Sequence, residues 1–498
     1  MPKLNYVLIT HIMGFLLIAN GGFMFVAAAV SWIYNDGATY DLIYAAGTTL
    51  IIGFALMIAT RSHRKKLTQR DGYLVVTLGW ILLVCSGMLP YIYTGSIADF
   101  SSAFFETMSG YTTTGATILN DIERLPEGIL LWRSFTHWIG GMGIIVLAVA
   151  IIPLLGIGGM QLFSAESPGP SADKLKPRIA DTAKRLWLIY VGYTFSETIL
   201  LKAAGMSLFD AFNHSLSTLS TGGFSTKNAN VAYWNDQPII QYIIILFMIL
   251  AGTNFVLSYY GVKGKLSRVF GDTEFKWYLF FIGVFTTISA LIIYFKADLG
   301  ISTIDHPQVW GEAEGAFRHA LFQVASVITT TGFVTSDFNL WTPLLTILFF
   351  GIFFLGGSAG STAGGIKVVR QVILIRNGIT EFKRALHPNA ILPLRFNGQL
   401  VKENVIFKIL GFFILYMLSF IIGSIGFAAM GFDFPTALGG AASSLGNIGP
   451  AFGSLSPVDN FSILPDIGKW WSAFLMLIGR LELFTVLIIL TPFFWSNR

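Results

Sequence analysis

Long apolar runs separated by short polar segments cover almost the whole chain. An apolar run needs about 20 residues to cross a bilayer as a helix. Runs long enough to cross lie at residues 5–33, 39–60, 73–93, 129–155, 184–204, 237–260, 277–296, 341–376, 404–430 and 468–494. The eighth run is interrupted, but the pattern as a whole predicts ten membrane crossings. The first run is about twice the length of the apolar region of a signal peptide, so we expect it to be a retained helix.

The composition excludes a water-soluble protein. Apolar residues make up 54% of the 498 residues and charged residues only 12%, whereas soluble domains contain about 25% charged residues. The single cysteine, Cys85, excludes an intramolecular disulfide framework and a cysteine-cluster metal site. The chain is therefore a polytopic membrane protein.

The basic residues predict the topology. Alternate loops contain 20 of the 32 lysines and arginines. These residues are Arg61, Arg64, Lys65, Lys66 and Arg70; Lys174, Lys176, Arg178, Lys184 and Arg185; Lys263, Lys265, Arg268 and Lys276; and Arg370, Arg376, Lys383, Arg384, Arg395 and Lys402. The positive-inside rule places these loops and both termini in the cytoplasm. The net charge of +5 thus reflects topology, and we expect no nucleic-acid partner.

Four of the opposite loops contain similar segments. Each is a short amphipathic stretch that ends in a glycine turn. The segments begin at Ser109, Ser217, Val327 and Ser443, and their glycines are Gly115, Gly222, Gly332 and Gly446, at spacings of 107, 110 and 114 residues. The repetition predicts four copies of helix, pore loop and helix. We assign them to residues 67–160, 161–265, 266–385 and 386–498, after a two-helix hairpin at 1–66.

Four such turns around a pseudo-fourfold axis can direct their carbonyl oxygens at one central line. Irregular backbone at membrane depth is tolerated where it lines a wet cavity, and rings of carbonyl oxygens replace the hydration shell of an ion in selective channels. Four tight turns at near-equal spacing therefore predict a selectivity filter. The candidate ion-binding residues are Thr113, Thr114, Gly115, Ser220, Thr221, Gly222, Thr330, Thr331, Gly332, Leu445, Gly446 and Asn447.

The chain resembles the TrkH/TrkG-type membrane subunits of the bacterial Trk potassium-uptake system, within the Trk/Ktr/HKT superfamily. The resemblance covers essentially the whole chain. It is carried by the four turn segments, by Leu355-Gly-Gly-Ser-Ala-Gly-Ser-Thr-Ala-Gly-Gly-Ile-Lys367, and by Gly479-Arg480-Leu-Glu482. In that family glycine in all four turns accompanies potassium selectivity. The fourth turn here differs from the others, with Leu445 in place of threonine and Asn447 after the glycine.

The resemblance also implies the biological context. The transported ion would be potassium, with rubidium as a further substrate, and no covalently bound cofactor is expected. The protein would be a homodimer in the lipid bilayer of the bacterial inner membrane. A cytoplasmic ring of nucleotide-binding TrkA-like subunits would regulate it, so nucleotide would act only through the partner.

Residues 356–365 interrupt the eighth span and include five glycines. Such a stretch forms a poor lipid-facing helix. It is either a close-packing patch of small residues or, as the resemblance implies, an intramembrane gating loop beneath the filter. The candidate gate residues are Gly356, Gly357, Ser358, Gly360, Gly364, Gly365, Lys367 and Arg480.

Arg480 falls near the middle of the last span, where charged side chains face the protein interior or water. It either pairs with an acid of a neighbouring helix, for which Glu197 is a candidate, or projects into the pore as an electrostatic barrier. Glu106 and His214 lie in the short segments and serve either packing or filter support.

Other classes of protein are less consistent with the sequence. None of the seven histidines belongs to a His-Glu-x-x-His pair, so we do not expect an intramembrane enzyme. Successive repeats have the same orientation, unlike the inverted repeats of many alternating-access transporters. The expected fold is therefore an all-α polytopic membrane protein with four pseudo-symmetric repeats around a central pore. A Na⁺- or H⁺-coupled potassium symporter is the alternative function.

Overall fold

The computed structural model describes residues 4–61, 68–146, 179–297, 304–390 and 392–496. The expected boundaries near residues 66 and 160, the end of the fourth span and several basic loop residues lie outside these ranges. Those loop residues are Arg64, Lys65, Lys66, Lys174, Lys176 and Arg178.

The described chain is mostly helical. The α-helices are Tyr6–Tyr34, Thr39–Ala59, Gln69–Gly87, Leu89–Tyr93, Phe100–Tyr111, Glu127–Val146, Ile179–Ala203, Leu208–Leu219, Pro238–Ala251, Phe255–Val262, Leu266–Gly271, Thr273–Lys296, Glu312–Ile328, Pro343–Ile352, Val368–Leu386, Glu403–Ala429, Phe434–Gly446, Asp466–Arg480, Phe484–Leu487 and Pro492–Trp495. Short 3₁₀ helices occupy Asn230–Trp234, Phe338–Leu340, Gly453–Leu455, Phe461–Ile463 and Ile488–Leu490. A two-stranded antiparallel hairpin pairs Arg395–Phe396 with Gln399–Leu400. The expected all-α polytopic fold is confirmed.

Within the described ranges, five helices are long and apolar enough to cross a membrane singly. The number of candidate spans rises to seven if each of two bent helix pairs counts as one span. Pro238–Ala251 and Phe255–Val262 are bent by 112°, and Asp466–Arg480 and Phe484–Leu490 by 109°. The prediction of continuous spans at 237–260 and 468–494 was wrong. Hydropathy does not detect these breaks, because the residues on both sides of each break are apolar.

The first two helices form the expected N-terminal hairpin. They cross where Gly14 faces Gly53: a Cβ atom on Gly14 would lie 2.9 Å from the carbonyl oxygen of Gly53. Small residues allow this close approach, as they commonly do between membrane helices.

Four short helices follow at similar intervals: Phe100–Tyr111, Leu208–Leu219, Glu312–Ile328 and Phe434–Gly446. Side-chain caps start the first two. Asp99 accepts a hydrogen bond from Ser102 N at 2.8 Å, and Ser207 accepts one from Asp210 N at 3.0 Å. These caps satisfy N–H groups that the helix leaves free. The four C-terminal ends are deeply buried, and the turns that follow them form the candidate site.

Candidate functional site

The turns after the four short helices share one backbone conformation. In each, a residue other than glycine has a positive φ, and a glycine with a positive φ follows two residues later. The first set is Thr113 (49°), Thr221 (56°), Thr330 (53°) and Asn447 (55°). The glycines are Gly115 (81°), Gly223 (86°), Gly332 (76°) and Gly449 (104°). Glycine adopts this conformation without steric cost, so these glycines define equivalent positions.

The same hydrogen bond closes every turn onto its helix. A serine lies six residues before each turn glycine. Its carbonyl oxygen accepts a hydrogen bond from the backbone N–H of the residue that directly precedes the glycine. The bonds are Thr114 N to Ser109 O at 2.9 Å, Gly222 N to Ser217 O at 2.8 Å, Thr331 N to Ser326 O at 2.8 Å and Ile448 N to Ser443 O at 3.0 Å. Such bonds satisfy carbonyl groups at a helix C-terminus, and their repetition establishes that the turns are equivalent.

This equivalence corrects the alignment made from the glycines in the sequence. Gly222 precedes the second turn glycine by one position and corresponds to Thr114. Gly446 lies in the last turn of its helix and corresponds to Thr112, three positions before the turn glycine. Neither Gly222 nor Gly446 has a positive φ. The serines at a constant distance from the turn glycines were the signal in the sequence that would have given the correct register.

The four turn glycines and their neighbouring carbonyl groups form a closed ring. A Cβ atom on each glycine would overlap the carbonyl oxygen that precedes the glycine of the next turn. The pairs are Gly115 with Gly222 O, Gly223 with Thr331 O, Gly332 with Ile448 O and Gly449 with Thr114 O. The contacts run from first to second, third, fourth and back to first. Only glycine fits at these positions, and the four turns converge on one axis.

Hydrogen bonds between side chains brace the ring. Thr112 Oγ1 and Thr114 Oγ1 are 2.8 Å apart. An equivalent pair, Thr329 and Thr331, is separated by 2.7 Å. In the fourth turn Asn447 donates through Nδ2 to Thr114 Oγ1 at 3.0 Å. The hydroxyl groups of Thr112, Thr114, Thr329 and Thr331 therefore bond to protein atoms, whereas Thr113 Oγ1 has no hydrogen-bond partner among the described residues.

Leu445 and Gly446 lie away from the ring. A Cβ on Gly479 would overlap Leu445 O, and one on Gly364 would lie 2.5 Å from Gly446 O. Their carbonyl groups thus face the last long helix and the glycine-rich segment. The fourth turn contributes Ile448 and Gly449 to the ring instead.

Glu106 and His214 both contact the chain that leaves a turn. Glu106 accepts a hydrogen bond from Ile118 N at 3.0 Å. His214 Nε2 and Ser225 Oγ are 2.9 Å apart. These contacts favour support of the turns over simple packing. Sequence analysis did not single out Arg133, whose Nε donates to Glu106 Oε1 at 2.8 Å, because an arginine within an apolar run does not reveal its partner.

Residues 356–365 cross beneath the ring without regular structure, between helices Pro343–Ile352 and Val368–Leu386. Thr362 Oγ1 donates to Leu219 O at 2.9 Å and to Ala251 O at 3.2 Å. Gly364 N donates to Thr330 Oγ1 at 2.6 Å. The segment therefore contacts the C-terminal ends of the second and third short helices.

The other glycines of this segment allow it to lie close to neighbouring backbone. Gly360 and Gly365 have φ values of 71° and 64°. Further contacts are Gly356 N to Ile366 O at 2.9 Å, Ser358 N to Gly252 O at 2.8 Å, Val368 N to Gly357 O at 3.2 Å and Phe255 N to Gly360 O at 3.2 Å. Gly356–Gly360 also has Gly-x-Ser-x-Gly spacing, which sequence analysis missed. It joins two helices, however, and is not the strand-to-helix elbow of a hydrolase.

Arg480 ends its helix directly below the ring and is 2% exposed. Its Nη1 donates to Thr362 O at 2.7 Å and its Nη2 to Gly140 O at 3.4 Å. Within the described residues it forms no ion pair with Glu197 or with another acid. The pairing that would have made Arg480 purely structural is therefore not observed.

Two further charged groups lie near Arg480. Lys367 is 8% exposed and its Nζ donates to Ala363 O within the glycine-rich segment. Glu482 pairs with Arg370 at 2.5 Å. Lys367 and Arg480 thus place two buried basic side chains beneath the ring.

The described ranges contain no group of three or more His, Cys, Asp or Glu side chains that could hold a metal ion. The oxygen-rich surface of the ring comes from backbone carbonyl groups. Uncharged carbonyl oxygens suit a weakly hydrated monovalent cation that must also leave the site.

Comparisons with known proteins agree with this geometry. Residues 43–496 match the family model TrkH, described as a cation transport protein. The Trk system potassium uptake protein TrkH of Escherichia coli K12 is 41% identical over 495 residues, covering 98% of this chain and 99% of that protein. The protein TrkG of the same organism is 34% identical over 497 residues, covering 98% of each.

A solved structure gives the same result. The crystal structure of the potassium transporter TrkH from Vibrio parahaemolyticus matches with a TM-score of 0.87 and 37% identity, covering 99% of this chain and 100% of that one. The relatives are named as transport proteins, so the prediction that the chain is not an enzyme is confirmed. The chain belongs to the TrkH family of cation transport proteins.

Proposed function

We propose that the protein mediates potassium uptake through a channel-like pore along the axis of the four-turn ring. One observation carries the proposal: the turns meet head to tail and bring four equivalent carbonyl groups to one centre. The relatives of this chain are named potassium uptake proteins of the Trk system. Carbonyl rings of this kind replace the hydration shell of potassium.

The filter positions are proposed from the geometry of the ring. Ion contact is proposed for the carbonyl groups of Thr114, Gly222, Thr331 and Ile448, with Gly115, Gly223, Gly332 and Gly449 keeping side chains off the path. Thr113, Thr221, Thr330 and Asn447 turn the backbone toward the axis. The C-terminal ends of the short helices point at the ring, and the negative ends of their dipoles favour a cation.

The gate is proposed to consist of residues 356–365 with Lys367 and Arg480. The segment contacts the ends of two short helices, and Arg480 ties it to Gly140 of the first repeat. A cation that leaves the ring would meet both a backbone obstruction and a positive charge. Opening then requires the segment and the guanidinium to move.

The wider assembly belongs to the same proposal. We propose a homodimer in the bacterial inner membrane. The distribution of basic loops supports a cytoplasmic location for both termini. The relatives are named as parts of a system, which supports a separate regulatory partner. We propose a cytoplasmic TrkA-like nucleotide-binding ring in that role.

The test is ion uptake by the purified protein in liposomes. Uptake of radioactive rubidium into potassium-loaded vesicles would be measured with and without a sodium or a proton gradient. Channel-like conduction predicts uptake that follows the potassium gradient alone. Uptake driven against that gradient by sodium or protons would support the coupled symporter instead, and absence of uptake would contradict both.

A further inference from the structure

Arg133 and Glu106 form an ion pair behind the ring. Arg133 lies on the helix Glu127–Val146 and is 1% exposed, and Glu106 lies on the first short helix and is 0% exposed. Nε of Arg133 and Oε1 of Glu106 are 2.8 Å apart. A buried ion pair loses the hydration of both charges, so its presence calls for further bonds that hold both groups.

The glutamate end of the pair holds the first turn. Thr117 Oγ1 donates to Oε1 and Oε2 of Glu106 at 3.0 and 3.1 Å, and Ile118 N donates to Oε2 at 3.0 Å. These residues follow Gly115 by two and three positions. The carboxylate therefore fixes the chain as it leaves the first turn.

The arginine end holds the second turn. Nη1 of Arg133 donates to Ser225 O at 3.0 Å. Its guanidinium carbon lies 3.8 Å from the centre of the Phe224 ring, a distance that gives a favourable cation–π interaction. Phe224 and Ser225 directly follow Gly223. The planar guanidinium thus binds the carboxylate and the second turn at the same time.

We propose that Arg133, oriented by Glu106, is a residue that determines ion selectivity, because it fixes the spacing between the first and second turns of the ring. This inference rests on the proposed function. Lysine would keep the charge, but its single ammonium lacks the planar fork that reaches both partners. Moving one turn relative to its neighbour displaces one of four carbonyl groups from the ion.

Neutral groups connect the turns at two other junctions. Between the second and third turns, Asn230 Nδ2 donates to Gly223 O at 3.2 Å and Val334 N donates to Asn230 Oδ1 at 3.2 Å. Between the fourth and first turns, Asn447 binds Thr114. The first junction uses a charged, forked group instead.

The test compares Arg133→Lys with the wild type in liposomes. Sodium or potassium is added to inhibit the uptake of radioactive rubidium, and the inhibitory concentration of each ion is measured. We expect the ratio of the two inhibitory concentrations to shift about fivefold in favour of sodium, which corresponds to the net contribution of one hydrogen bond. Arg318→Lys is the matched control, since Arg318 is also buried and pairs with Glu314 at 2.9 Å without contacting a turn glycine or the residues directly after it.

The double variant Glu106→Gln/Arg133→Gln removes both charges of the ion pair together. It replaces Arg133→Lys in the same measurement if Arg133→Lys does not fold. A shifted ratio in either folded variant, with an unshifted ratio in Arg318→Lys, supports the inference. An unshifted ratio in the folded variants, or an equal shift in the control, overturns it. Wild-type protein that takes up no rubidium would instead contradict the proposed function.

Discussion

Arg480 donates a hydrogen bond of 2.7 Å to the carbonyl oxygen of Thr362. This bond joins the break in the last long helix to the centre of the glycine-rich segment. Both partners are buried, so the bond lies inside the protein, directly beneath the ring of turns. It connects the two parts of the proposed gate.

We expect Arg480→Gln to raise potassium flux several-fold. A cation about 10 Å from a guanidinium, at an effective dielectric constant of about 20, meets ~1.7 kcal/mol of repulsion. By itself this energy corresponds to somewhat more than a tenfold change in rate. Selectivity should change little, because the ring lies above the arginine. The measurement is flux per folded protein, with the melting temperature in detergent as a check. A slower, destabilised variant would indicate that Arg480 is structural.

Shortening the segment 356–365 by three residues should also raise flux. The shortened chain cannot keep both the Thr362 and the Gly364 contacts with the short helices. Flux should then depend less on the cytoplasmic partner. A shortened protein that folds and conducts no faster than the wild type would leave close helix packing as the function of the segment.

Two glycines of the fourth repeat test whether Gly449 or Gly446 occupies the ring position. Gly449→Ala places a Cβ 2.6 Å from Thr114 O at a φ of 104°, a strain of about 1–3 kcal/mol. We expect the turn to move so that this strain is relieved. The preference for potassium over sodium should then fall about tenfold. Gly446→Ala is the matched control, since its nearest atoms belong to the flexible side chain of Ile448. Equal effects of the two variants would contradict the register given by the structure.

The cap of the first short helix predicts a pH dependence of stability. Hydrogen bonds from Ser102 and Ser101 hold the pKa of Asp99 well below its usual range. A lowered folded-state pKa stabilises the protein above the ordinary carboxyl pKa of about 4, and this contribution is lost as the pH falls toward the folded-state value. We expect Asp99→Ala to destabilise the protein by about 1 kcal/mol at pH 7. Melting temperatures should converge with those of the wild type as the pH falls below 4, and a constant difference would contradict the prediction.

The sequence predicted the architecture well, because hydropathy and repetition follow directly from the bilayer. A fourfold arrangement of helices and turns was expected, and the family resemblance is confirmed. The breaks after Ala251 and Arg480 were not predicted, since a hydropathy average is insensitive to a bend within an apolar run. Contacts distant in sequence lie at both breaks: Ser358 N donates to Gly252 O, and Arg480 donates to Thr362 O.

The candidate site was predicted in outline but not in register. Glycine was used to align the turns, whereas the shared features are a positive φ two residues earlier and a serine carbonyl six residues earlier. Asn447 supplies that positive φ in the fourth turn, because asparagine tolerates it better than most residues. The contacts of Arg133 depend on packing between repeats, which no local pattern reveals.

The ring is built like a cyclic tetramer with heterologous subunit interfaces, yet one polypeptide supplies all four members. In a homotetramer every substitution appears at four interfaces at once. Here each interface can be changed by itself, so the first junction holds a charged pair while two others hold the amides of Asn230 and Asn447. Selectivity in such a protein can evolve one junction at a time, and in the proposed filter an ion would contact four walls that are related but not identical.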